Sequence, residues 1–154
     1  MADNTYSLLK ASGYHPEQEL SARSILSASE LGKRYRLAIS GGRRSSLFQI
    51  DGYIISSGKR CDKLVLVENA GYDWAEIFVE LKGVDVASAI EQLRVSLGSP
   101  LFKHATNKEV RARIVAQSFP SHRSNPIMEK AKIEFMRKFQ CELRGMKTGQ
   151  QDAI

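Results

Sequence analysis

The sequence predicts an α/β fold, a mixed sheet flanked by helices, and three observations predict it. Runs at 47–55, 61–67 and 76–82 are rich in β-branched and aromatic residues and are separated by short turns, the pattern of an antiparallel meander. Apolar Val86, Ala89, Ile90, Leu93 and Leu97 then fall at helical spacing. A fourth strand-like run, 111–118, follows that helix, and a strand reached through a helix pairs parallel to its predecessor.

The elements follow in order along the chain. Residues 16–31 read as a helix with Leu20, Ile25, Leu26, Ala28 and Leu31 on a loose apolar face. Residues 33–40 read as a strand, and Gly41-Gly-Arg-Arg-Ser-Ser46 as a flexible basic loop. The meander then runs from Leu47, with turns at 56–59 and 69–73. Asp85 is placed to cap the helix that follows, Gly98 to stop it, and Pro100 comes next. Asn125 and Pro126 open a last helix to about 143, on which Met128, Ala131, Phe135, Phe139 and Leu143 form a stripe. That stripe is read as core packing, with a dimer interface as the second reading. From Gly145 onward no periodicity remains, and 145–154 reads as a frayed tail.

Length and composition set the class. At 154 residues and 42% hydrophobic the chain can bury a core without disulfide or metal, and it reads as one domain over 1–154 with its core at about 47–118. No apolar run approaches the roughly 20 residues of a membrane span, and the start, Met-Ala-Asp-Asn, has no charged and apolar leader. Cys61 and Cys141 lie far apart without metal-ligand spacing and read as reduced core thiols. The expected location is the cytoplasm.

Residues 76–82 carry the chemistry. In the strand Glu76-Ile-Phe-Val-Glu80-Leu81-Lys82, alternation sends Ile77, Val79 and Leu81 to one face and Phe78, Glu80 and Lys82 to the other. A carboxylate and an ammonium thus project from the same side of an apolar strand, where a charge is costly unless it is paired, holds a metal or lines a cleft. Asp62 heads the neighbouring apolar run. Two adjacent strands with an Asp and a Glu-x-Lys gather two carboxylates and a lysine at one sheet edge. Mg²⁺ takes oxygen ligands, keeps several waters and is held by one or two carboxylates plus substrate phosphate. It activates a bound water, and a lysine beside it offsets charge developing on the phosphate oxygens.

Asp62, the run Glu80-Leu81-Lys82-Gly83 and a following helix with Gln92 resemble the PD-(D/E)XK nuclease superfamily, with Cys61 standing where the motif's proline would be. The superfamily includes restriction endonucleases and Holliday-junction resolvases, and the resemblance covers about half the chain, roughly 48–117. It implies a restriction endonuclease-like α-β-β-β-α-β core and hydrolysis of phosphodiester bonds in DNA, with RNA second, using Mg²⁺ or Mn²⁺. Asp62 and Glu80 would hold the metal, joined by the Leu81 carbonyl. Lys82 would be the catalytic lysine, and Gln92 would steady it or the substrate. Members often carry a further Glu on the first helix, for which Glu19 and Glu30 are both open. Asp51 is either a third acidic group or a turn-forming Asp-Gly.

The net charge of +6 is unevenly spread. Residues 1–60 hold 9 Lys/Arg against 5 Asp/Glu, residues 61–93 hold 2 against 7, and residues 94–154 hold 12 against 5. An acidic centre between basic flanks suits carboxylates that gather metal and cations that neutralise a nucleic-acid backbone. Arg43, Arg44, Lys59, Arg60, Arg111 and Arg113 are the candidate phosphate contacts. No motif for reading base sequence is present. One site per chain suits a homodimer if both strands of a duplex are cut. His15, His104 and His122 are isolated, and no G-x-S-x-G, phosphate-loop or dinucleotide fingerprint occurs. The alternative function is a non-catalytic nucleic-acid-binding or protein-interaction domain on the same fold.

Overall fold

The computed structural model describes residues 3–56, 58, 61–81, 85–117 and 126–154. In chain order these form helix α1 (Thr5–Ala11), strands β1 (Gln18–Ala22), β2 (Ile25–Glu30), β3 (Lys33–Ala38), β4 (Arg44–Gln49), β5 (Lys63–Glu68) and β6 (Trp74–Glu80), helix α2 (Val86–Gly98), β7 (Asn107–Ala116), helix α3 (Pro126–Phe139), β8 (Cys141–Lys147) and β9 (Gln151–Ala153). The protein is mixed α/β. Six strands form one sheet in the order β1-β4-β5-β6-β7-β8, and β2-β3-β9 form a second. Within the large sheet β1 to β6 pair antiparallel, while β7 and β8 are parallel to their neighbours.

Strand alternation gives the large sheet two apolar faces. Trp74 and Phe78 of β6, Leu64 and Leu66 of β5 and Ala112 and Ile114 of β7 meet the three helices. Ala75, Ile77 and Val79 of β6, with Val65, Val67 and Val115, meet Leu26, Ala28, Tyr35 and Leu37 of the small sheet. With both faces covered, β6 reads as one buried run from end to end. The strands β5 and β6, the helix α2 and a parallel β7 follow one another as the sequence predicts, while β4 starts at Arg44, inside the expected basic loop, and β7 at Asn107, ahead of the expected 111. Asp85 caps α2, its carboxylate accepting the N–H groups of Ala87 and Ser88.

Four expectations are corrected. Residues 16–31 are not a helix but β1 and β2: Leu26 and Ala28 are buried two apart, the strand period, while Ile25 and Leu31 of the supposed helical face are exposed. The strand expected over 47–55 ends at Gln49 and turns through Gly52, whose φ of 77° favours glycine. The last helix stops at Phe139, Gln140 turns the chain with φ 52°, and Leu143 belongs to β8 rather than to the helical stripe. Finally, 145–154 is not a frayed tail. β8 closes the large sheet, and β9 pairs in parallel with β3, Arg36 beside Gln151. A three-residue strand held by residues more than a hundred positions away has no local periodicity to betray it. α1, capped by the Asn4 side chain accepting the Ser7 N–H at 2.8 Å, was not expected from periodicity either.

Polar ties join the sheets, two of them through buried cations. Lys63, buried on the small-sheet side of β5, pairs with Glu17 and with Glu30 of β2, the latter at 3.3 Å. Arg113 of β7 reaches Asp152 of β9. Among the described residues no helix is long and apolar enough to cross a membrane.

Candidate metal centre

Asp62 and Glu80 are brought together at one end of the β5–β6 ladder. β5 begins with Lys63 paired to Val79. Just before it, the Asp62 N–H donates to the Val79 carbonyl at 3.2 Å, and Asp62 Oδ2 accepts the Leu81 N–H at 2.7 Å. Asp62 is therefore bonded to the residues on both sides of Glu80. Each of the two acidic residues is 1% exposed. Glu80 shares the parity of Phe78, so it stands on the face covered by the helices.

The helix α2 overlies this corner. Its Ser96 Oγ accepts the Cys61 N–H at 2.9 Å, next to Asp62. Ser88, Gln92 and Ser96 recur every four residues and so share a helix face. Gln92 lies one turn before Ser96 and is half-buried, its amide 3.5 Å from Ser88 Oγ. Burial pushes the Cys61 thiol well above its usual range, which keeps it an inert neighbour rather than a thiolate ligand.

The donors expected here are hard oxygens: the carboxylates of Asp62 and Glu80 and the backbone carbonyl of Leu81. Such a set suits Mg²⁺ or Mn²⁺, because those ions accept a few protein oxygens and leave the remaining positions to water and phosphate. Among the described residues no group of three or more His, Cys, Asp or Glu is gathered to hold a metal without such help.

Lys82, Lys59 and Arg60 lie outside the described residues. The other expected phosphate contacts are not brought to the carboxylate corner. Arg44 forms a two-pronged pair with Glu68, at 2.8 and 2.7 Å. It sits at the far end of the β4–β5 ladder, six residues or about 20 Å from Asp62 along β5. Arg43 beside it donates to the Ser40 carbonyl and to Asn69. Arg111 and Arg113 stand beside Ile77 and Val79, on the sheet face opposite Glu80. Arg111 is engaged by Glu109 and the Ala153 carbonyl, and Arg113 is 0% exposed, its fork spent on Asp152 and Glu142 at 2.7 Å each. These two arginines hold sheets together instead of facing solvent.

The other acidic candidates separate similarly. Glu19, on β1 and exposed, takes hydrogen bonds from Tyr6 and Lys10. Glu30 is a partner of Lys63. Asp51 lies beyond the end of β4, bridged to Ile55, with its carbonyl accepting from Gln49. A different residue emerges that the sequence reading passed over. Glu76 has the parity of Glu80 on the same strand and is buried, and burial alone pushes its carboxyl up to about 8. The alternation that singled out Glu80 applied to Glu76 equally. No known family, characterised protein or solved structure matches the chain.

Proposed function

We propose that this chain is a metal-dependent nuclease with a PD-(D/E)XK-type site that hydrolyses phosphodiester bonds in DNA, on a restriction endonuclease-like core. The observation that supports it most is the bond from the Leu81 N–H to Asp62, which holds Asp62 against the Glu80-Leu81 peptide at a buried strand end. An accidental Glu-x-Lys needs no second carboxylate there. The order of three antiparallel strands, a helix and a parallel strand around that corner adds support.

Asp62, Glu80 and the Leu81 carbonyl would hold Mg²⁺ or Mn²⁺, which when bound polarises a phosphate oxygen and makes a water nucleophilic at neutral pH. Asp62 is oriented for this by the Leu81 N–H, which its Oδ2 accepts at 2.7 Å. The Lys82 ammonium supplies a point charge and three donors for the attacking hydroxide and the phosphate oxygens. Gln92, on α2, would accept from the same ammonium through its amide oxygen and limit its freedom. Lys59 and Arg60, close in sequence to Asp62, would supply positive charge to offset the nucleic-acid backbone. Two copies of the chain would be needed to cut both strands of a duplex in one event.

The test is cleavage of labelled linear duplex, single-stranded, supercoiled and four-way-junction DNA with Mg²⁺ or Mn²⁺, wild type beside Glu80→Ala and Lys82→Ala. Metal-dependent cutting is expected in the wild type and lost in both variants, with DNA binding kept by Lys82→Ala. Salt-sensitive binding without cutting in all three proteins would replace the nuclease with a binding module on the same fold. Neither cutting nor binding would reduce the corner to a structural ion pair.

A further inference from the structure

Four residues before Glu80, on the same face of β6, Glu76 is 5% exposed and its Oε2 has no hydrogen-bond partner among the described residues. The side chain borders a cavity of about 420 Å³ at the opposite end of β6 from Asp62, where the last residues of α2 and α3 meet the start of β7. Asn107 lines the same cavity, and its Oδ1 is a second buried acceptor without a partner. The amide orientation is settled by its other end. The nitrogen donates to the Phe102 carbonyl at 3.2 Å and to Thr5 Oγ1 at 2.9 Å, and a carbonyl accepts only, so the oxygen is the atom left over.

Buried polar atoms in folded proteins nearly always find partners. Two acceptors in one cavity ask for a group that brings several N–H donors, and a cation answers best because its pairing with a carboxylate strengthens in a low-dielectric site. The C-terminal ends of α2 and α3 add partial negative charge at the same place. The rim has the opposite character. Lys103 and Lys138 are exposed there. His104 accepts the Thr106 N–H at Nδ1, which leaves Nε2 to carry the ring proton as a donor.

We propose that this cavity binds a small zwitterion, with its primary ammonium held by Glu76 and Asn107 and its carboxylate or phosphate facing Lys103, Lys138 and His104. The volume suits a small molecule. Burial favours the neutral Glu76 carboxyl near neutral pH, and the arriving ammonium stabilises its ionised form. This site is independent of the nuclease proposal, since it uses the other end of β6 and is read by binding alone.

Calorimetric titration of the full chain tests it, with β-alanine, O-phosphoethanolamine, ethylammonium chloride, sodium acetate and sodium phosphate as probes. One of the two zwitterions is expected to bind at least about tenfold more tightly than any single-charge probe, and which of them does so identifies the anionic end. Glu76→Gln keeps the side-chain shape and should weaken that binding by about tenfold or more, while Lys103→Ala/Lys138→Ala should lower it to the level of ethylammonium. Unchanged melting cooperativity confirms that the variants are folded. The proposal is overturned if neither zwitterion binds up to about 50 mM, if ethylammonium binds as tightly as they do, or if Glu76→Gln binds undiminished.

Discussion

Arg113 and Asp152 form a buried pair, Nε to Oδ2 at 2.7 Å between side chains 0% and 2% exposed, that joins the next-to-last strand of the large sheet to the last strand of the small one. Tyr35 donates its hydroxyl to the same Asp152 oxygen at 2.7 Å. Burial raises the pKa of the carboxyl, but Tyr35 and Arg113 outweigh it and hold it below its ordinary 3.8.

Removing Asp152 should therefore be expensive. Asp152→Ala leaves the Arg113 guanidinium buried with its Nε unpaired, Glu142 and the Ala112 carbonyl remaining as partners, and a loss of about 3–5 kcal/mol is expected in urea unfolding. Tyr35→Phe, which deletes one hydrogen bond to a charged group, should lose about 1.5–3 kcal/mol. A carboxyl depressed in the folded state contributes stability above its unfolded pKa and loses it as pH falls through the folded value. Wild-type stability should thus drop below about pH 4, and Asp152→Asn should flatten that drop while starting from lower stability at pH 7.

Glu76 should act with the opposite sign. Its folded pKa of about 8 exceeds the unfolded value, so its contribution to stability is intact below pH 4.5 and declines as pH rises to 8. Glu76→Gln removes the titration. It should stabilise the protein by on the order of 3 kcal/mol at pH 7, relative to the trend from pH 4.5, and by little at pH 4. Unfolding midpoints of both proteins from pH 4 to 9 measure it, and parallel curves would contradict the burial argument.

Divalent metal should stabilise the fold through Asp62 and Glu80 even where no DNA is present. Saturation to 100 times the dissociation constant adds about 2.7 kcal/mol, a rise of several degrees in Tm for a chain of this length. Mg²⁺ or Mn²⁺ should raise Tm in the wild type and not in Asp62→Asn/Glu80→Gln. Chelator should reverse the gain. Equal shifts in wild type and variant would move the ion elsewhere on the protein.

Cys61 and Cys141 are both buried, and burial pushes the Cys141 thiol up to about 12. A thiol-specific disulfide reagent attacks thiolates, so labelling should be negligible in the native protein and reach two thiols per chain in guanidinium. Prompt labelling under native conditions would show that the helix layer opens far more readily than its packing suggests.

Much of the centre of the fold was legible in the sequence because local and global preferences agree there. Leu64 to Val67 and Ile77 to Val79 are continuous apolar runs, and Asp85 caps a well-spaced helix, so these elements declare themselves before any packing is considered. Asp62 and Glu80 were legible for a related reason: an acid in an apolar strand is conspicuous. Glu76 was hidden beside a more recognisable pattern. The periphery misled because its residues are ambiguous alone. Leu26 and Ala28 satisfy both a loose helical face and a strand face, and only contact with Tyr35 and Leu37 selects the strand.

By itself, then, the sequence determined the α/β class, the meander with its parallel successor, and the acidic corner that the proposed nuclease would use. Alternation and helical spacing are local, and each residue carries its share of them. The tertiary structure alone decided that the last residues form β8 and β9, that Arg111 and Arg113 serve the fold beneath the small sheet, and that Glu76 and Asn107 share a cavity. Those outcomes depend on partners distant along the chain. Arg113 has the same chemistry whether it meets phosphate or Asp152, and only the path of β9 brings the aspartate to it.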